Sequence, residues 1–140
     1  MMNLFVALRR DDGSVELVTP PLADLILPGV TRDSVLSLAR QHADVNTSFR
    51  IQGLPDTLIV SERNLFMSDI VSAAANNSLV EIFGTGTAAV VSAVERIGYE
   101  GADIKVPCGT GGMGELAAAF VAEIEGRQTG AIQSEWSVVV

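Results

Sequence analysis

The chain has 140 residues, a net charge of −8 and a pI near 4.4, which excludes a basic surface for nucleic acid or for an anionic membrane. With 48% apolar and 19% charged residues it is apolar enough to bury one ordinary core, which excludes a disordered chain. An anionic ligand must therefore be held by local N–H donors.

Cys108 is the single cysteine, so there is no disulfide framework and no cysteine pair for a metal; a reducing compartment fits. No apolar run reaches the roughly 18 residues of a membrane span, and no basic segment leads into an apolar one. A cytoplasmic or mitochondrial setting, away from membranes, is the expectation.

Leu4-Phe5-Val6-Ala7-Leu8 is apolar, Asp11-Asp12-Gly13 has turn chemistry, and Val15-Glu16-Leu17-Val18-Thr19 alternates, which predicts a β-hairpin. Its first strand follows directly on Met1-Met2, an abrupt start that leads us to expect a missing upstream portion. Pro20-Pro21 ends the second strand. In Leu27-Pro28-Gly29-Val30-Thr31, Pro28 fixes one φ and Gly29 permits close approach, so the N–H groups of Val30 and Thr31 converge beside the Thr31 hydroxyl. That is a cradle of phosphate size. A helix follows, capped by Thr31 or Asp33, with Val35, Leu38, Ala39 and His42 on one face. His42, the sole histidine, reads as a packed or capping residue rather than a catalyst.

Residues 44–57 read as a long loop, either a surface insertion or an error in the gene model. Leu58-Ile59-Val60 is a short strand ending at Ser61-Glu62-Arg63, whose adjacent acid and base read as a structural ion pair. Ser68 is expected to cap a helix that turns Ile70, Val71 and Ala74 inward and closes at Asn76-Asn77. The strand from Leu79 to Phe83 delivers Phe83-Gly84-Thr85-Gly86-Thr87-Ala88, where alternating Gly and Thr form a nest of N–H donors for a carboxylate or phosphate. Taken singly, each of the two turns also reads as an ordinary turn. Residues 88–94 have the pattern of a strand buried on both faces, and Glu100-Gly101 joins a second hairpin. Gly109-Thr110-Gly111-Gly112-Met113-Gly114 reads as a loop, because a dinucleotide fingerprint needs a full βαβ unit and an acid about twenty positions on. A helix with Leu116, Phe120, Val121 and Ile124 follows, then a terminal strand anchored by Trp136.

Thr19-Pro20-Pro21-Leu22, Ile26-Leu27-Pro28-Gly29-Val30-Thr31-Arg32, Ser61-Glu62-Arg63, Glu81-Ile82-Phe83-Gly84-Thr85-Gly86-Thr87-Ala88 and Trp136, in that order, resemble the C-terminal half of a branched-chain amino-acid aminotransferase. This is the fold-type IV pyridoxal-phosphate class, and the resemblance covers nearly the whole chain. It implies an α/β fold, a bent mixed sheet or pseudo-barrel with about three helices, here as one incomplete domain over residues 1–140. It also implies pyridoxal 5'-phosphate as cofactor, branched-chain amino acids and 2-oxo acids as substrates, and a homodimer. By motif match, Leu27 packs on the cofactor ring, and the N–H groups of Val30 and Thr31, approached across Gly29, hold its phosphate. Gly86 and Thr87 complete that phosphate site, and the N–H groups of Thr87 and Ala88 take the substrate carboxylate. Ala89 and Ser92 replace the redox Cys-x-x-Cys of human-type relatives, so no thiol regulation is expected, and the 44–57 loop is longer than the family's by about ten residues.

In the family, the Schiff-base lysine and the acid for the pyridine nitrogen lie upstream of the segment matching Met2-Asn3-Leu4-Phe5. Lys105 is the only lysine here and reads as a surface residue. No catalytic residue is therefore expected in this chain, which reads as an inactive fragment of a longer transaminase. The alternatives are a remnant that docks on a full-length paralogue, its apolar strands needing outside cover, and a D-amino-acid aminotransferase or aminodeoxychorismate lyase of the same fold.

Overall fold

Alternation and turn chemistry set the centre of the molecule. In the computed structural model, which describes residues 3–22, 29–86, 91–107 and 114–128, β1 (Asn3–Arg9) runs antiparallel to β2 (Val15–Thr19). The connection is locked by the Asp12 carboxylate, which accepts from the Ser14 N–H at 2.9 Å and the Ser14 hydroxyl at 2.6 Å. Gly13 supplies a left-handed φ of 88° that other side chains resist. β3 (Leu58–Glu62) lies parallel to β2, and β4 (Leu79–Thr85) lies antiparallel to the free side of β1. With β5 (Val91–Ala93), the order is β3-β2-β1-β4-β5, a mixed five-stranded sheet. β6 (Arg96–Tyr99) and β7 (Ala102–Lys105) form a separate hairpin.

The period-two register decides what each face buries. Phe5, Ala7, Leu17 and Phe83 share one core with α1 (Val30–Ala43) and α3 (Glu115–Gln128); Phe5 and Phe83 stack at 5.2 Å, and Phe83 meets Phe120 at 6.0 Å. Val6, Leu79 and Ile82 share a second core with Ile70 and Ala73 of α2 (Met67–Ala75) and with Val106. The expectation that β1 needs cover from outside holds only at Leu4, 38% exposed; Phe5, Val6 and Ala7 are buried within the chain. Among the described residues no helix is long and apolar enough to cross a membrane.

Five expectations change. α1 is capped by Gly29, not Thr31 or Asp33: Gly29 is extended, and its carbonyl accepts the Asp33 N–H at 3.1 Å. α2 is capped at Phe66, not Ser68, because Asp69 reaches back to accept the Phe66 N–H at 2.9 Å. Val71 faces partly outward, and Ala73 takes its inward place. The 44–57 segment is not merely a surface excursion: Ile51 and Leu54 are buried in the first core, and Gly53, at φ 98°, passes so close to α3 that an added Cβ would meet Ala119 at 3.3 Å. His42 fastens this loop, its Nδ1 accepting the Ile51 N–H at 2.9 Å and its Nε2–H donating to the Pro55 carbonyl at 2.8 Å. β5 begins at Val91; its Ser92 and Ala93 are only half-buried, so the doubly buried strand over 88–94 is not seen across the described part. The glycine-rich connection up to Met113 and the terminal segment with Trp136 lie outside the described residues.

Candidate functional site

The first turn of α1 is fixed from behind. Arg32 is buried, and its Nη2 donates to the Pro20 carbonyl at 3.0 Å and to Glu62 at 2.8 Å, while Arg40 donates to the other Glu62 oxygen at 2.6 Å. These bonds tie the helix start to the exit of β2 and the end of β3. The Arg32 hydrogen bond, then that of Arg40, holds the Glu62 carboxyl below the usual glutamate range. Glu62 therefore pairs with α1, and its neighbour Arg63 pairs instead with Glu16. The adjacent acid and base are structural, as expected, but not with each other.

At the front, Gly29 is the N-cap and makes no side-chain cap bond, so the positive dipole end of α1 carries no capping side chain. Asn3 then joins this helix end to the second turn. Its Cα pairs with that of Thr85, the residue before Gly86, and its Oδ1 would lie 2.5 Å from a Cβ built on Gly29. The structure thus brings Gly29, Val30, Thr31 and Gly86 to one end of the sheet. Leu27, Thr87 and Ala88 lie outside the described residues. The Thr85 Oγ1 is buried there without a hydrogen-bond partner, as is the Arg32 Nε. A helix start without a side-chain cap, the close approach of Asn3 to Gly29 and an orphaned hydroxyl thus lie together at this end of the sheet. Such an arrangement suits an anion such as a phosphate group.

The N-terminus of α3 is different, because the chain fills it itself. Glu81 accepts the N–H groups of Leu116 at 3.0 Å and Ala117 at 2.8 Å, and Gly114 leaves room for that carboxylate. Burial pushes the Glu81 carboxyl up, against the pull of those two bonds. Lys105 stands beside Arg9 and Leu79, at the end of β1 and β4 opposite Asn3 and Thr85. The six strand steps from Asn3 to Arg9, its neighbour on a shared cavity, span about 20 Å. Asn3, Arg32 and Glu62 have no site role in the sequence reading, and Thr85 enters it only as part of the Gly-Thr turn. Their relation depends on strand register, and the one local signal is that Arg32 and Glu62 lie within the quoted motifs.

No family model matches the chain. A branched-chain-amino-acid aminotransferase of Monosiga brevicollis is 37% identical over 139 residues, 99% of this chain and 32% of its own length. The cytosolic enzyme of that name from Mus musculus is 38% identical over 98% of this chain and 32% of its own length. The mitochondrial one is 39% identical over 96% and 31%. The chain spans about a third of the length of the curated relatives it matches. It is homologous, over almost all of its own length, to part of the branched-chain-amino-acid aminotransferases.

Proposed function

We propose that this chain supplies the anion-holding part of a pyridoxal-phosphate-dependent branched-chain transaminase, which exchanges amino groups between leucine, isoleucine or valine and 2-oxoglutarate. The carrying observation is the meeting of the uncapped α1 start with the end of β4 across Asn3. In this reading the Val30 and Thr31 N–H groups hold the cofactor phosphate, with Gly86 and Thr87 closing that site. Leu27 packs on the ring, and the Thr87 and Ala88 N–H groups orient the substrate carboxylate. When bound, pyridoxal phosphate supplies the electron sink for the carbon that exchanges its amino group.

Moving the proton at that carbon requires a lysine beside the cofactor. The placement of Lys105 at the far end of the sheet supports the reading that the chain as given binds without turning over, and that the lysine belongs to another part of a longer enzyme. Leucine, 2-oxoglutarate and added cofactor should give no 2-oxo acid above the level of a Lys105→Ala control. Turnover that depends on Lys105 would overturn the inactivity.

Binding is tested separately. Inorganic phosphate should compete with pyridoxal phosphate and not with pyridoxal, which lacks the phosphate. Equal binding of the two cofactor forms would remove the phosphate site from this reading.

A further inference from the structure

We infer a second anion site, for a small aliphatic carboxylate, between Arg9 and Lys105. Six other arginines are engaged. Arg10 and Arg63 pair with Glu16, Arg32 and Arg40 with Glu62, and Arg96 with Asp103; Arg50 donates to the carbonyls of Asp44, Thr47 and Phe49. Among the described residues, Arg9 and Lys105 have no ion-pair or side-chain hydrogen-bond partner, and both line one cavity of about 360 Å³. In a chain of net charge −8, two unengaged cations on one cavity are a local reversal of sign.

The cavity is built from separate parts of the chain. The Arg9 N–H donates to the Ser78 carbonyl at 2.7 Å, which sets the end of β1 beside the α2–β4 turn, and Asn77 at φ 63° makes that turn. Lys105 arrives on β7. Ala74, Leu79 and Pro107 give the cavity apolar walls as well as charged ones. A guanidinium fork with a nearby ammonium fits a planar carboxylate, and the walls fit a short aliphatic body that a bare phosphate lacks. The alternative use of these cations is as counter-charge to the C-terminus of α2, whose last turn holds no basic residue.

The test is a titration of the nitrogen-15-labelled chain with 3-methylbutanoate, and with inorganic phosphate in parallel, following the amide signals of Arg9, Asn77, Val80 and Lys105. Expected are saturable shifts with 3-methylbutanoate and weaker ones with phosphate. Affinity should fall about tenfold in the Arg9→Gln, Lys105→Gln double variant and be retained in Lys105→Arg. Both side chains are exposed, so the double variant should unfold at the wild-type temperature. Absent shifts, undiminished shifts in the double variant, or equal shifts with phosphate would overturn the inference. So would a double variant that loses stability while binding as before, which would assign the cations to the α2 terminus. None of these results touches the phosphate site at Val30, Thr31 and Gly86, whose amides report separately in the same spectra.

Discussion

Arg32 carries more of the site than its place in the sequence indicates. It is buried, and its bonds to Pro20 and Glu62 hold the α1 start in place. Arg32→Met should cost about 3 kcal/mol, because it leaves Glu62 with one partner and the Pro20 carbonyl with none; urea denaturation measures it. The acid side of the pair gives a pH signature. The folded Glu62 carboxyl titrates below its ordinary 4.5, so its contribution is present above that value and lost as the pH falls through the lowered one. Glu16, lowered chiefly by Arg63, behaves alike, whereas Glu81, raised by burial, contributes most at low pH and loses that contribution as the pH rises through its folded value. Glu62→Gln should therefore lose less stability than wild type between pH 5 and pH 3, with a remainder from Glu16. An unchanged acid slope would remove Glu62 from the account.

At the level of elements, two helix starts with opposite treatment make the argument. The α3 start is occupied by the Glu81 carboxylate, and the α1 start is left without a side-chain cap. Gly29→Ala forces a methyl group against the Asn3 Oδ1 and should cost about 1–3 kcal/mol together with most of the phosphate affinity. The 44–57 loop depends on His42 in the same way that α1 depends on Arg32. His42→Ala should leave the Ile51 N–H and the Pro55 carbonyl unpaired, lower stability by about 2–4 kcal/mol and remove hydrogen-exchange protection at the Ile51 amide. Protection that survives the substitution would mean that Ile51 and Leu54 hold the loop by packing alone.

Across the whole molecule, what was legible in the sequence was what neighbouring residues decide. The first hairpin was readable because alternation and the Asp12-Gly13 turn are local, and the two glycine turns stood out as donor-rich for the same reason. The caps were misplaced because Phe66 has no capping side chain and Asp69, three residues on, supplies the bond. The loop was read as superficial because its cover comes from α3, more than sixty residues later. Asn3 gave no signal at all: only the register of β1 on β4 places it between the turns. The claim that rests on this assembly is that the chain holds the phosphate of pyridoxal phosphate at the α1 start. It is tested most directly by titrating the labelled chain with pyridoxal 5'-phosphate and with pyridoxal while following the amides of Val30, Thr31 and Gly86. Expected are saturable shifts at all three with the phosphorylated form, none with pyridoxal, and much weaker ones in Gly29→Ala. Shifts of equal size with pyridoxal, or no shift at these three amides in the wild-type chain, would contradict it.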